Sequence, residues 1–338
     1  MEQISTAQST AQSPKRRAVI AASPALDSSV EIVVCIPSFR RPQHLRLTLE
    51  SLAAQRISRR FAVVVVENDA TRHESAPVAI EFLSQGKLAG LCVIEPEQGN
   101  CYAINAAFET ALSCFPHAAH FLMIDDDEVA SPEWLARMVE AAEASGADIV
   151  GGPVWPNFDD ERKRGLTLHP AFAPAYRSSG SVPVIYGCGN CLIRRRVFEK
   201  VGTPAFDLRF NFLGGGDHDF FARSRRAGFR FYWTAEAVIT ETEPRNRTRV
   251  GWIVRRCLRI GAINYHIERR AASTVWWRAA VIAKMFGLVP FSFFRVARLF
   301  LRQQQAIIAM HPMLVAIGSA LAVVGIEPQP YASSKVGS

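Results

Sequence analysis

Four consecutive acids, Asp125, Asp126, Asp127 and Glu128, follow an apolar run in AHFLMIDDDEVASPEWL (119–135). Adjacent carboxylates repel one another, so the cluster is either a solvated turn before a helix or a site that receives a cation. The Asp-x-Asp pair Asp125 and Asp127 offers hard oxygen donors, which suit Mg²⁺ or Mn²⁺. A cation held by few side chains leaves positions for phosphate oxygens and would neutralise a departing nucleoside diphosphate. A second pair of acids, Asp217 and Asp219, follows three glycines in LGGGDHDFFAR, with His218 between them. The CGNC at Cys188 to Cys191 has metal or redox spacing, but no second CxxC or histidine pair accompanies it, so it reads as two core cysteines.

These residues need elements to position them. From Glu31 onward, short apolar runs alternate with stretches of helical periodicity. EIVVCI (31–36), FAVVVV (61–66), LCVI (91–94) and HFLMI (120–124) alternate with helical patterns at 42–55, 75–85 and 101–114. Continuous apolar strands between amphipathic helices predict βαβ units and a mostly parallel sheet covered on both faces. In such a sheet, ligands bind at the carboxyl ends of the strands, which is where the acids of 125–127 fall. EIVVCI likewise runs into Pro37-Ser38-Phe39-Arg40-Arg41, and FAVVVV into Glu67-Asn68-Asp69. Ser131 is expected to cap the next helix, with Pro132 at its first position. ADIVGG (147–152) reads as a strand, and the Pro-rich 153–184 as an irregular excursion over the site. VIYGCGNCLIRR, FRFYWT and AVIT (237–240) return to strand character.

With 338 residues, 49% of them hydrophobic, the chain has ample material for a core. Seven cysteines, an odd number, argue against a secreted disulfide framework and for a reducing cytoplasm. Residues 1–29 are rich in Ser, Ala, Thr and Gln and read as a disordered tail without the apolar run of a signal peptide. The net charge is +8, yet from Arg245 to Arg302 thirteen Lys and Arg face one acid, Glu268. These charges are interleaved with apolar runs, which favours a membrane surface over nucleic acid.

CIPSFRR, VVVENDA, GNCYAINAA, MIDDDEVASPEWL, IVGGPV, YGCGNCLIRR and LGGGDHDFFAR occur here in one order at ordinary spacings. Together they resemble the inverting family 2 glycosyltransferases, and more narrowly bacterial exopolysaccharide enzymes of the succinoglycan glucosyltransferase type. The resemblance covers about residues 31–260. It implies an α/β GT-A-like nucleotide-sugar-binding fold at 30–260, followed by a basic, apolar helical region at 261–330 and a tail at 331–338. The implied activity is metal-dependent transfer of a single sugar from a nucleotide-sugar, expected to be UDP-linked. The acceptor would be a glycan or polyprenyl-diphosphate-linked hydroxyl. A Gln-x-x-Arg-Trp signature of processive members is absent from the sequence.

Carried over by position, the resemblance implies that Pro37, Phe39, Arg40, Glu67, Asp69, Asn105 and Asp125 meet the nucleotide. Glu67 stands where the family usually has Asp. Asp127 would be the main metal carboxylate, with Asp125 on the ribose or the metal, and Asp126 supporting the loop. Glu241 or Glu243 would complete the metal site in place of the family's usual histidine. Asp217 matches the catalytic base, with Gly216 in place of the usual Glu before it, and Asp219 is the alternative base. The three glycines would let the backbone approach a sugar closely. Arg245, Arg247 and Trp252 are candidates for the diphosphate, although a basic helix facing solvent or membrane accounts for them equally.

The uncharged stretch 306–326 has the length of a bilayer-spanning helix. The apolar stretch from Val275 to Phe294 carries Arg278, Lys284 and Pro290, which argue against an independent span. If both crossed, Arg295, Arg298 and Arg302 would lie outside, against the positive-inside bias. The expected location is therefore the cytoplasmic face of the inner membrane, by a peripheral contact, a hairpin or one span. A helix pair packed on the catalytic domain is the alternative. A non-catalytic scaffold that keeps the fold and binds nucleotide or glycan is a second functional reading. A sugar-phosphate nucleotidyltransferase would want a glycine-rich, arginine-containing loop after the first strand, which CIPSFRR does not supply.

Overall fold

A computed structural model of the chain describes residues 16–328 apart from 25, 28, 304 and 305. The strands in chain order are β1 (Ala18–Ala22), β2 (Ile32–Ser38), β3 (Phe61–Glu67), β4 (Gly90–Ile94), β5 (His120–Met123) and β6 (Glu128–Ala130). They continue with β7 (Ile149–Gly151), β8 (Val154–Phe158), β9 (Gly180–Val182), β10 (Cys191–Arg194), β11 (Phe231–Trp233) and β12 (Ile239–Glu243). Nine of these form one sheet in the order β1-β4-β3-β2-β5-β10-β7-β11-β9, and β6-β12-β8 form a second. The adjacent strands β4, β3, β2 and β5 run parallel, as do β7 and β11, while β1, β10 and β9 run antiparallel to their neighbours.

The helices are α1 (Pro42–Ala53), α2 (Ala76–Ser84), α3 (Asn100–Cys114), α4 (Trp134–Ser145) and α5 (Arg195–Val201). They continue with α6 (Gly216–Arg226), α7 (Val250–Ala271), α8 (Val275–Gln303), α9 (Ala306–Ala309) and α10 (His311–Val323). Because side chains alternate along a strand, β2 and β3 divide their residues between two cores. Val33, Cys35, Val64 and Val66 pack with Phe108, Phe206 and Phe220 on one face. Val34, Ile36, Val63 and Val65 pack with Leu45, Leu49, Phe82 and Trp134 on the other. Both faces of the sheet are therefore covered, which explains the uninterrupted valine runs.

Four expectations are corrected. Part of the supposed tail, Ala18–Ala22, is an edge strand paired with β4, and Arg17 beside it bonds Glu95 and Glu109; residues 1–15 lie outside the described residues. The excursion 153–184 is less irregular than its prolines suggest, because β8 pairs with β12 and β9 with β11. Ser131 does not cap α4: its N–H donates to the Val238 carbonyl, extending the strand contact, and the helix starts at Trp134.

The fourth correction concerns the membrane candidates. Residues 306–326 do not form one long helix. They divide at Met310, and the 13 residues of α10 reach about 20 Å, short of a bilayer core of about 30 Å. Instead α10 packs on α7, with Gly261 and Gly318 facing each other's helix and the Ser319 hydroxyl donating to the Gly261 carbonyl at 2.9 Å. The stretch that carries charges and Pro290 is the long helix: α8 runs 29 residues, and only 17% of its most apolar window is buried. Val281, Met285 and Ser292 bury one stripe of α8, while Trp276, Phe293 and Phe294 stand out at 86%, 60% and 80% exposure.

A Cβ on Gly318 would fall 2.1 Å from the Leu258 carbonyl oxygen, a backbone atom that cannot yield cheaply. Gly318→Ala is therefore expected to destabilise the protein by about 1–3 kcal/mol, despite alanine's better helix propensity. Thermal and urea unfolding would show the loss.

Candidate active site

At the carboxyl ends of β2, β3 and β5 lies a cleft of about 1090 Å³. Its walls include Pro37, Phe39 and Arg41 after β2, Asn68 after β3, Asp125 to Glu128 after β5, and Asp217 and His218 at the start of α6. Glu241, Glu243 and Arg247 face it from the second sheet and the turn beyond, and residues 170–175 roof it.

The acids occupy this end because strand pairing forces them together. Glu241 of β12 lies opposite Glu128 of β6, a like-charge pair across the ladder. Glu128 is 2% exposed and its carboxylate accepts from the Asp125 N–H at 2.8 Å. Burial first, and then the neighbouring acids, push Asp125 and Glu128 well above the usual carboxylate range. Two arginines offset part of the repulsion. Arg41 donates to Asp127 at 2.6 Å and to Asp126 at 3.1 Å. Arg247 donates to Glu241 at 2.6 Å and lies 3.5 Å from Asp127. Burial would lower the Arg247 pKa, but Glu241, Glu243 and Asp127 outweigh it and hold the guanidinium above its ordinary value.

Asp126 turns inward, accepting from the Ser38 hydroxyl at 2.8 Å and the Phe39 N–H at 3.3 Å, and so supports the loop. Among the described residues, no hydrogen bond or ion pair engages the carboxylate of Asp125 or that of Asp217. Both also press electrostatically on the buried thiols of Cys188 and Cys191, which burial chiefly raises, so the two acids flank one floor of the cleft. All seven cysteines are free.

A divalent cation fits this donor set chemically, since Asp125 is a partly buried carboxylate amid like charges that makes no ion pair and feels the Arg41 charge only through space. Asp127 and Glu241 would have to share their oxygens between that cation and the arginines, because both already hold Arg247.

Several sequence candidates lie elsewhere. Glu67 is fully buried and its oxygens accept from the N–H groups of Asp69, Ser75 and Ala76, so it organises the turn into α2 and does not reach the cleft. Asp69 is 3% exposed and holds Arg40 at 2.5 Å. Arg40, at φ +55°, leans over the Phe39 ring and is directed to Asp69, leaving Arg41 to enter the cleft. Asn105 clamps Phe206 through two 2.8 Å backbone bonds inside the core. Asp219 is fully buried, and one of its oxygens receives Arg223 at 2.8 Å and Arg270 at 2.7 Å, so an ion-pair role replaces that of a base. Arg245 is exposed and outside the lining, whereas Trp252 lines the cleft and stacks on Phe172 at 5.9 Å. The glycine run serves packing more than ligand approach: Gly215 is at φ +89°, and a Cβ there would strike Ile263 of α7 at 2.5 Å.

Sequence reasoning missed Arg41, one residue beyond the arginine chosen, and Glu128, the last of the quoted acids. It also missed Asn68, which binds the Gly99 N–H at 2.8 Å and ties the β3 end to α3.

Residues 33–202, half of the chain, match the family described as Glycosyl transferase family 2. The chain belongs to this family. This glycosyltransferase is similar to the succinoglycan biosynthesis protein ExoM of Rhizobium meliloti (strain 1021), at 31% identity over 238 residues, covering 69% of this chain and 72% of that protein. Among solved structures, the mannosyltransferase PcManGT from Pyrobaculum calidifontis, in complex with GDP-Man and Mn²⁺, aligns with a TM-score of 0.55 at 18% identity. That alignment covers 88% of this chain and 90% of the other. Residues 1–349 of S. aureus TarS in complex with UDP align with a TM-score of 0.51 at 12% identity, covering 87% and 90%. At these identities the structural likeness concerns the fold, which is the expected GT-A-like arrangement.

Burial, and then Glu241, push Glu243 up from 4.5 to about 7. Its folded pKa exceeds its unfolded one, so its stabilising contribution is full below about 4.5 and lost as pH rises through about 7. Without divalent cations, Glu243→Gln should match the wild-type melting temperature at pH 4 and exceed it at pH 8, as read by scanning fluorimetry across pH.

Proposed function

We propose that this glycosyltransferase moves a single sugar from a nucleotide-sugar to an acceptor hydroxyl with inversion, in cell-surface polysaccharide synthesis. The carrying observation is that one cleft contains both the arginine-bridged acids after β5 and, facing them, the unengaged carboxylate of Asp217. UDP is the favoured nucleotide and a glycan or polyprenyl-diphosphate-linked oligosaccharide the favoured acceptor. The name of its relative ExoM supports the polysaccharide setting.

In this reading, Pro37, Phe39 and Asn68 border the nucleoside, and Arg41 and Arg247 swing from the acids toward the diphosphate. Asp127 and Asp125, with Glu241, would hold Mg²⁺ or Mn²⁺, which when bound neutralises charge on the leaving diphosphate. Asp217 takes the acceptor proton as the acceptor oxygen attacks the anomeric carbon from the face opposite the diphosphate. A carboxylate suffices for this step, because the hydroxyl becomes acidic only as the new bond forms. Tyr186 and His218, in edge contact at 5.6 Å, border the acceptor side.

Asp217→Asn should lower kcat by about 10²–10⁴-fold while leaving donor KM nearly unchanged. Asp219→Asn should instead lower the melting temperature, because the fully buried carboxylate that holds Arg223 and Arg270 loses its charge. Equal loss of kcat in both, or none in Asp217→Asn, would remove the assignment of the base. A wild type that binds UDP but turns over no donor would favour the scaffold.

We further infer that α8 rests on the cytoplasmic membrane surface. Its exposed Trp276, Trp277, Phe291, Phe293 and Phe294 accompany Arg278, Arg295 and Arg298, a composition suited to an anionic interface. Phe293→Ser with Phe294→Ser should weaken binding to phosphatidylglycerol vesicles by about tenfold or more in flotation assays. Unchanged flotation would assign the ridge to a protein contact.

A further inference from the structure

Three soft-ligand side chains meet where the roof of the cleft joins the C-terminal helices. His169 follows the 3-10 segment Glu161–Leu168, Cys257 lies within α7 and His311 opens α10. One ligand atom from each lies within 4.8 Å of the other two. The Cys257 sulfur is 3.4 Å from His311 Nδ1, and the two imidazoles meet edge to face at 5.2 Å. None of the three belongs to the acid cluster.

A second observation points to a ligand. His169 is 0% exposed, and its Nε2 is buried with no hydrogen-bond partner, the nearby Ile307 carbonyl falling outside bonding geometry. A buried polar nitrogen left without a partner is unfavourable, so the fold carries a penalty here that a ligand would relieve. Aromatic rings border the site on the roof side: Phe172 meets His169 edge to face at 6.1 Å and Phe158 at 5.3 Å, and stacks on Trp252.

We propose that His169, Cys257 and His311 form a site for a borderline-soft divalent cation of the zinc class, distinct from the hard-cation acids after β5. Two imidazole nitrogens and one thiolate form a three-ligand set whose fourth position is open to water, here on the side where His311 borders the cleft. On binding, the Cys257 thiol releases its proton to solvent as the metal–sulfur bond forms. His169 binds through Nε2, and its ring hydrogen passes to Nδ1. That nitrogen now accepts from the Ala171 N–H at 3.0 Å, so this bond must open and the backbone at Ala171 must turn. Ala171 and Phe172 line the cleft roof, so occupancy of the site sets the position of the roof. Arg256, whose charge acts on His169, opposes binding, and that charge also acts on Glu243. The metal ties the excursion to α7 and α10, elements far apart in sequence.

The test uses the full chain, stripped of metal and titrated with Co²⁺, which adopts zinc geometry and reports thiolate ligation by a near-ultraviolet charge-transfer band. The expected result is one thiolate-bound Co²⁺ per chain, displaced by Zn²⁺, with the band absent in Cys257→Ser and retained in Asp127→Ala. His311→Gln should weaken Zn²⁺ by more than about tenfold. No band in the wild type, or a band of equal strength in Cys257→Ser, would overturn the proposal. The wild-type spectrum decides even if a variant misfolds.

Discussion

Carboxylate crowding at the end of β5 is the constraint on which the rest of the cleft depends. Pairing of β6 with β12 sets Glu128 against Glu241, and the loop between β5 and β6 adds three aspartates. Buried acids of one sign hold together only with cations nearby. Arg41 and Arg247 supply that charge from the loops after β2 and after β12, so the acids cross-link the halves of the site. The same guanidiniums are available to phosphate oxygens, and a site built on mutual repulsion favours a cationic ligand that relieves it.

A frame of inward polar residues keeps this tension in place. Glu67 fixes the turn into α2, Asn68 ties β3 to α3, and Asn105 ties α3 to the segment before the glycine run. Asp219 with Arg223 and Arg270 joins α6 to α7, leaving Asp217 as the acid of that turn that faces the cleft. Each of these buried groups is bonded to backbone or to a charge of opposite sign, which confers rigidity where the reacting groups must stay aligned.

The parallel core was legible because residues buried on both faces read as unbroken valine and isoleucine runs. β1 was not legible: AVIAA lies in an Ala- and Ser-rich tail, and only its pairing with β4 makes it a strand. β8 and β9 likewise take their form from partners some 50 to 90 residues away. The acids declared the site because clustered charge needs a reason, but residue type did not tell inward from outward. Glu67, Asn105 and Asp219 carry the same groups as ligands and point into the framework. At the C-terminus, absence of charge suggested 306–326 as the membrane element. The facing glycines Gly261 and Gly318 instead bring α10 onto α7, and the exposed apolar surface belongs to α8.

We propose that the acids after β5 and their two arginines form a metal-dependent nucleoside diphosphate site. Calorimetric titration of UDP into the purified protein, with and without Mn²⁺, decides the point. The expected result is binding that requires Mn²⁺ and disappears in Asp127→Ala. Equal binding with and without the metal, or Mn²⁺-dependent binding that survives in Asp127→Ala, would contradict it.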